Sequence, residues 1–367
     1  MLMDRRSFLK ATAMGAAAGT VAALAAPALS QGRIAWRMQA SAVPTAADDT
    51  AEAQSLAARI DTLSEGQLTV ELVAPAPSAA PGAALDAVIA GRAQMGHGPV
   101  NDWQNRSGAL PFLAGMPFGL TAPEMATWLQ TPETQALADA VHAPFGVKVF
   151  PCGDTGPQSG GWFRTALAGI EDLQGLRLLS AGLSAQVWRM MGLSPVAMAA
   201  DETLAALLAG ALDGIEFAGA ARDLDMGFHA ACKHYYAMSF TRPATARGLI
   251  IDKQAYLDLP QSLQAVLQRA CAEAHRDSLA RSTARDTAAR QSMTASHGVA
   301  LHPVFPDSVL QAGGKAASEI IRALRDSTDP LVRRTAESYL VALGSMPPQA
   351  DGADAAYLAA RARFLLI

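Results

Sequence analysis

Three short apolar runs, Ile34–Met38, Leu68–Val73 and Gln94–His97, are separated by two segments with helical spacing. Within Ala46–Ser64, the apolar positions Ala53, Leu56, Ala57 and Ile60 share one helical face. Gly66 stands where a helix C-cap takes glycine. Within Gly82–Ala90, Leu85, Val88 and Ile89 share a face in the same way. The order strand, helix, strand, helix, strand argues for a largely parallel sheet covered by helices.

The alternation recurs downstream. Strands are predicted at Val147–Phe150, Leu176–Leu179, Pro195–Val196, Leu212–Phe217 and Gly248–Ile251, the last with Arg247 at its edge. Helices are predicted at Ser184–Met191 and at Glu202–Ala209, capped by Gly210. From Pro260 to about Ser296 the chain reads as one helix, with Pro at the first helical position and Gly298 past the end. Further helices are expected over Ser308–Arg325, Leu331–Leu343 and Ala353–Leu366. Pro75, Pro77 and Pro81 mark a loop. Two α/β lobes with strands passing between them suggest a clamshell that closes on a small ligand. The same pattern also describes a two-domain α/β enzyme.

The N-terminus reads as an export signal. MLMDRRSFLK is basic, and an uncharged Ala- and Gly-rich run follows to Ala28. Arg5 and Arg6, followed by Ser7, Phe8, Leu9 and Lys10, match a twin-arginine signal. Gly15, Gly19 and Thr20 make the run too weakly apolar for a membrane span. Cleavage is expected before Gln31, with Ala26-Pro27-Ala28 as a second site. Removing Asp4, Arg5, Arg6 and Lys10 from 29 basic and 33 acidic residues leaves 26 and 32, a net charge of −6 over 337 residues. No basic stripe remains to hold nucleic acid or an anionic membrane. The three cysteines, Cys152, Cys232 and Cys271, make no disulfide framework and read as buried thiols, with one disulfide left open.

Signatures of the common catalytic classes are missing. The chain has no Gly-x-Ser-x-Gly elbow, phosphate loop, Gly-x-Gly-x-x-Gly, His-Glu-x-x-His or Cys-x-x-Cys. Its seven histidines do not pair at metal-ligand spacing. Two local features stand out. Gly153–Phe163 packs four glycines, Thr155, Gln158 and Ser159 with two aromatics, Trp162 and Phe163. Such a segment supplies close backbone approach, polar contacts and an aromatic wall, or else a turn between lobes. Glu216-Phe217 ends an apolar strand, where a carboxylate either binds a hard cation or is paired or solvated.

Several segments together resemble the extracytoplasmic solute receptors of tripartite ATP-independent periplasmic (TRAP) transporters. The likeness is to the branch that binds 2-oxo or hydroxy acids with a metal cation. It is carried, in order, by Ile34–Ser41, Leu85–Val88 with Gly91 and Met95–His97, Met116–Thr121, Gly153–Phe163, Asp172–Arg177, Gly210–Phe217 and Lys233–Tyr236. The resemblance implies a two-lobe periplasmic-binding-protein clamshell with mixed, mostly parallel sheets and long C-terminal helices. It implies a signal peptide at 1–30, lobe I at 31–152 plus about 243–280, lobe II at 153–242, and a C-terminal helical region at 281–367 packing on both lobes. It implies a periplasmic receptor with no catalytic residues and no organic cofactor, passing a small organic acid to TRAP permease subunits. In relatives such a C-terminal tail can mediate dimer formation; here its apolar finish, Phe364-Leu365-Leu366-Ile367, is expected to be covered either by a second copy in a homodimer or by the chain's own body.

The resemblance also names site residues. Gln158, Glu216 and the Phe217 carbonyl are expected to hold Na⁺ or Ca²⁺, and Trp162, Phe163 and Phe217 to wall the ligand. One departure is plain: the Arg that pairs with the ligand carboxylate in the family is Leu179 here. Arg177, two residues away on the same strand face, is one substitute. Arg242, in Phe240-Thr241-Arg242-Pro243 where relatives carry an acid, is the other, and Phe240 joins the expected site beside it. An exported enzyme and a receptor for a non-carboxylate solute are the alternatives.

Overall fold

Strands that carry the chain out of one sheet and back into it must run in opposite directions, and this accounts for the architecture. The computed structural model describes residues 32–41, 47–76, 80–346 and 353–367. The signal-peptide expectation lies outside them. In the first sheet, β1 (Ile34–Ala40) pairs parallel with β2 (Leu68–Val73) and with β3 (Met95–Pro99). The helices Ala47–Leu63 and Ala83–Ile89 make these crossovers. Two further strands, at Val147–Asp154 (β4) and Ala246–Asp252 (β10), complete the order β2-β1-β3-β10-β4. β4 leaves toward the second sheet, and β10 returns from it. They pair antiparallel, with Asp154 opposite Ala246. β10 is antiparallel to β3 as well, so the sheet is mixed and its parallel part is β2-β1-β3.

The second sheet has the order β11-β9-β5-β8-β6-β7. Its strands are β5 (Gly161–Phe163), β6 (Arg177–Leu179), β7 (Ser194–Val196), β8 (Gly214–Ile215), β9 (His234–Tyr236) and β11 (Ala300–His302). β5 enters from the first sheet and β9 leaves for it, and these two again pair antiparallel. The strand expected over Leu212–Phe217 shortens to Gly214–Ile215. Asp213 and Glu216, on either side of it, are drawn instead into side-chain contacts described below.

The helix Gln261–Ser296 is one unbroken rod of 36 residues, entered through Pro260 and left through Gly298 at φ 61°. It packs against β4, the helix Ala47–Leu63 and the helix Ala220–Asp225, so it braces both sheets. A region that the sequence reading left unassigned, residues 100–146, holds the helices Leu110–Ala114, Ala122–Leu129 and Pro132–His142. The second begins with a capping box: Glu124 accepts from the Thr121 amide at 2.8 Å, and Thr121 accepts from the Glu124 amide at 3.5 Å. The Thr-x-x-Glu pattern was in the sequence.

The C-terminal helices Asp307–Arg325, Pro330–Ser345 and Ala353–Phe364 cover the body. Tyr357 and Leu358 are buried, and Arg361 forks onto Glu124 at 2.6 and 2.8 Å. The body thus covers much of the apolar tail, while Leu366 and Ile367 stay exposed at 65% and 45%. All three cysteines are free and buried.

Candidate functional site

The two crossings between the sheets are laced to each other before any side chain is considered. The Thr155 amide donates to the Thr245 carbonyl at 3.0 Å, and the Ser239 amide donates to the Gln158 carbonyl at 3.0 Å. Gly156 shows why this segment needs glycine. Its φ is 76°, and a Cβ there would lie 2.7 Å from the Ser282 Cβ on the long helix. Gly160 is equally crowded, by Phe305 and the Met238 carbonyl. These two glycines let chain pass chain.

A cavity of about 190 Å³ opens where the crossings meet the long helix. Thr155 and Gln158 line it from the first crossing, Arg242 and Thr245 from the second, and Arg247 from β10. Asn101 and Asp102 face it from beyond β3, Phe217 and Arg222 from beyond β8, and Asp286 from the long helix. Both halves of the molecule therefore contribute walls. Several lining residues carry a buried polar atom without a hydrogen-bond partner, among them Arg242 Nε, Thr245 Oγ1, Asn101 Oδ1 and Asp286 Oδ2. Buried polar groups are nearly always paired, so such a cluster marks where a ligand's polar atoms fit. Burial pushes the Asp286 carboxyl up to about 6, against the Ala221 amide, Arg290 and Arg285, which pull it down.

Glu216 does not line this cavity. It is buried, and four neutral donors converge on its carboxylate. Ser180 Oγ donates at 2.8 Å and Trp188 Nε1 at 2.9 Å to Oε2, and Ser239 Oγ donates at 3.2 Å to Oε1. The Thr241 hydroxyl is the fourth donor, also to Oε1. Ser239 Oγ in turn accepts from the Arg242 amide at 3.0 Å. Arg242 Nη2 donates to the Phe217 carbonyl at 3.0 Å. The Glu216-Phe217 pair thus fixes the 239–242 turn by its carboxylate and the Arg242 guanidinium by its carbonyl.

The other residues singled out from sequence fall in different places. Gln158 lines the cavity, and its Nε2 donates to Thr155 Oγ1 at 2.7 Å and to the Gly156 carbonyl at 3.2 Å. Phe217 lines the cavity and stacks edge-on against Phe228. Arg177 is outside it. Its guanidinium forks onto Asp213 at 2.9 and 2.7 Å and also donates to the Gly210 carbonyl at 2.8 Å, on an exposed edge. Leu179 belongs to the second sheet's apolar core, so the same-face argument carries Arg177 nowhere near the cleft. Trp162 is fully buried, donating to Asp223 at 3.2 Å and packing on Tyr235. Phe163 and Phe240 are core as well: Phe163 packs against Tyr236 and Phe305, and Phe240 packs among Phe118, Trp188 and Phe305. Aromatics close to a glycine-rich turn are drawn to the sheet's apolar faces.

Sequence reasoning missed the cleft's ion pair between Arg247 and Glu52, at 3.1 Å, together with Arg222 and Asp286. Arg247, inside an apolar strand, was the one detectable signal; the others sit on helices where a charge reads as a solvated face.

The oxygens expected to hold a cation are engaged otherwise. The Phe217 carbonyl carries a guanidinium, and the Glu216 carboxylate has two donors on each oxygen. Among the described residues, no group of three or more His, Cys, Asp or Glu side chains could hold a metal ion. As arranged, these oxygens already accept hydrogen bonds, and a hard cation such as Na⁺ or Ca²⁺, which takes several oxygens, would displace those donors.

Comparison with known proteins places the chain in a defined group. The family described as bacterial extracellular solute-binding protein, family 7, matches residues 40–325. A monocarboxylate 2-oxoacid-binding periplasmic protein of Nostoc is 30% identical over 286 residues, 78% of each chain. A TRAP periplasmic solute-binding protein from Pseudoalteromonas atlantica, with bound sodium and pyruvate, superposes with a TM-score of 0.77 at 28% identity, covering 85% of this chain and 94% of that one. Another, from Colwellia psychrerythraea with bound calcium and pyruvate, gives 0.77 at 25% identity over 85% and 95%.

Proposed function

The chain belongs to the bacterial extracellular solute-binding proteins of family 7, the receptors and not enzymes of TRAP transporters, and from that premise we propose that it captures a 2-oxo or 2-hydroxy monocarboxylate in the cleft between its two sheets. The observation that carries this reading is the buried, unpartnered Nε of Arg242 in a cavity walled from both halves. A guanidinium offers a fork of donors that matches a carboxylate. Thr245 and Asn101 supply a donor and an acceptor for the neighbouring oxo or hydroxy group. Mechanism follows from position. A ligand touching both crossings stabilises the closed arrangement, and the closed receptor docks on the membrane permease. Gln158, Phe217 and Arg242 are the ligand-facing residues, and Glu216 positions the turn that carries Arg242.

The finer parts of the reading are export by the twin-arginine signal at residues 1–30, residence in the periplasm, and a homodimer built on the C-terminal helices. No helix of the described residues is long and apolar enough to cross a membrane. Leu366 and Ile367, left exposed, give a dimer contact its apolar start.

The test is thermal unfolding of the mature chain with pyruvate, lactate and 2-oxobutyrate. Ligand at 100 times its dissociation constant adds about 2.7 kcal/mol of stability. A rise with one acid supports the proposal; flat curves with all three, alongside a rise with a neutral solute, replace it with the non-carboxylate reading.

A further inference from the structure

Two crystallised relatives hold bound pyruvate together with sodium in one and calcium in the other. A small carboxylate in a cleft needs a fixed positive charge, and a hard cation held by protein oxygens is one way to provide it. In this chain the oxygen that such a cation needs is taken. Arg242 Nη2 sits 3.0 Å from the Phe217 carbonyl. A metal bound to the same oxygen would lie within a few ångströms of the guanidinium, where like charges repel. The turn bearing Arg242 is locked by bonds from Ser239 and Thr241 to the buried Glu216 carboxylate, so the guanidinium is built in and not a wandering surface group. Its Nε is buried and unpartnered in the same cleft, leaving an N–H for a ligand carboxylate.

We propose that the Arg242 guanidinium is a tethered cation: it supplies the positive charge that sodium or calcium supplies in those relatives, so acid binding here needs no metal. The inference rests on the receptor reading above. It assigns Arg242 two contacts at once, one N–H to the Phe217 carbonyl and the rest of its fork to the ligand carboxylate. It also gives the departure at Leu179 a physical sense. The arginine missing from the second sheet's core is replaced by one delivered from the crossing, at the position where a metal would otherwise be shared.

The deciding experiment is calorimetric titration with pyruvate, lactate or 2-oxobutyrate, whichever raises the melting temperature. It is run in a sodium-free choline buffer with EDTA, then with added Na⁺, then with added Ca²⁺. The wild type is expected to bind with the same affinity, within about twofold, in all three. Arg242→Gln is expected to lose tenfold or more in the metal-free buffer. Arg242→Lys keeps the charge but not the fork, and is expected to recover part of the loss in that buffer. Wild-type binding that disappears in EDTA and returns with either ion overturns the tethered cation and leaves the receptor reading intact. Binding by no acid in any buffer overturns both. An Arg242→Gln variant that binds as well as wild type without metal overturns the inference alone, and its circular dichroism and melting curve confirm that the protein compared is folded.

Discussion

Asp213 and Glu216 are three residues apart and flank the same two-residue strand, yet their environments are opposite. Asp213 is half-buried and meets the exposed Arg177, whose hydrogen bonds hold its carboxyl below the usual range. Glu216 is buried and meets no arginine; neutral donors from four residues surround it. The exposed pair looks stronger on paper, a bidentate fork of formal charges. Water already solvates both partners there, so joining them changes little. The buried carboxylate has no water to fall back on; Ser180 and Trp188 donate to it alone, and Ser239 and Thr241 have beyond it only each other, at 3.1 Å. What a charged side chain contributes depends on what happens to its partners when it is removed.

Substitutions can break this contrast. The largest effect is expected from Glu216→Ala, which leaves the Trp188 indole N–H and the Ser180 hydroxyl buried without an acceptor and the Ser239 and Thr241 hydroxyls with only each other. Each unpaired group costs about 1–3 kcal/mol, less where a hydroxyl can turn elsewhere, so denaturant unfolding should show a loss of about 3 kcal/mol or more. Acid affinity should fall with it, because the turn carrying Arg242 loses its anchor. A loss under about 1 kcal/mol would mean that the network is as weak as the surface pair.

Arg242→Gln comes next. Its effect should lie in binding: loss of a charge-assisted contact worth about 1.5–3 kcal/mol lowers acid affinity roughly 10- to 100-fold, with little change in unfolding midpoint. A change in midpoint without a change in affinity would place Arg242 among structural residues.

A third carboxylate sharpens the comparison through pH. Asp154, at the end of β4, is fully buried like Glu216, but its Oδ1 accepts only the Gly156 amide, at 2.8 Å, and its Oδ2 has no partner. Burial pushes its carboxyl up to about 8. The folded state therefore holds a proton that the unfolded chain releases at the ordinary carboxylate range, so this group's stabilisation is complete at low pH and is lost as pH rises through about 8. Asp154→Asn mimics the protonated form. The melting temperature of wild type minus variant should fall between pH 5 and pH 8; a difference constant with pH would show that Asp154 is ionised in the fold.

The smallest effect is expected from Arg177→Ala, with unchanged acid affinity and the least change in melting temperature of the four. A loss of affinity matching that of Arg242→Gln would return Arg177 to the site and undo the contrast.

Local period and cap chemistry were enough to read β1, β2, β3 and the two helices between them, as well as the long helix from Pro260 to Gly298. The Thr121-x-x-Glu124 helix start is legible in the same way. Resemblance to a family located Gln158, Phe217 and Arg242, which line the cleft. It also drew in Arg177, Trp162 and Phe240, which do not. For Arg177, strand alternation says which residues share a face, not whether that face meets solvent, core or cleft; for Trp162 and Phe240, nearness in sequence to a glycine-rich turn or to Arg242 does not say which way the ring turns. The antiparallel β10 and β5 were equally beyond a local pattern, since direction is set by where the chain has to return.

The sequence by itself determined the elements, because helix and strand periods and their caps are properties of neighbouring residues. It determined the family, because seven segments occur in order. Only the tertiary structure decided which charges work. Glu216 takes donors from Ser180, 36 residues before it, and Thr241, 25 residues after it. Arg242 finds its carbonyl 25 residues back. A carboxylate's role is fixed by its surroundings, and those are assembled from distant parts of the chain that come together only when both crossings and the long helix are in place.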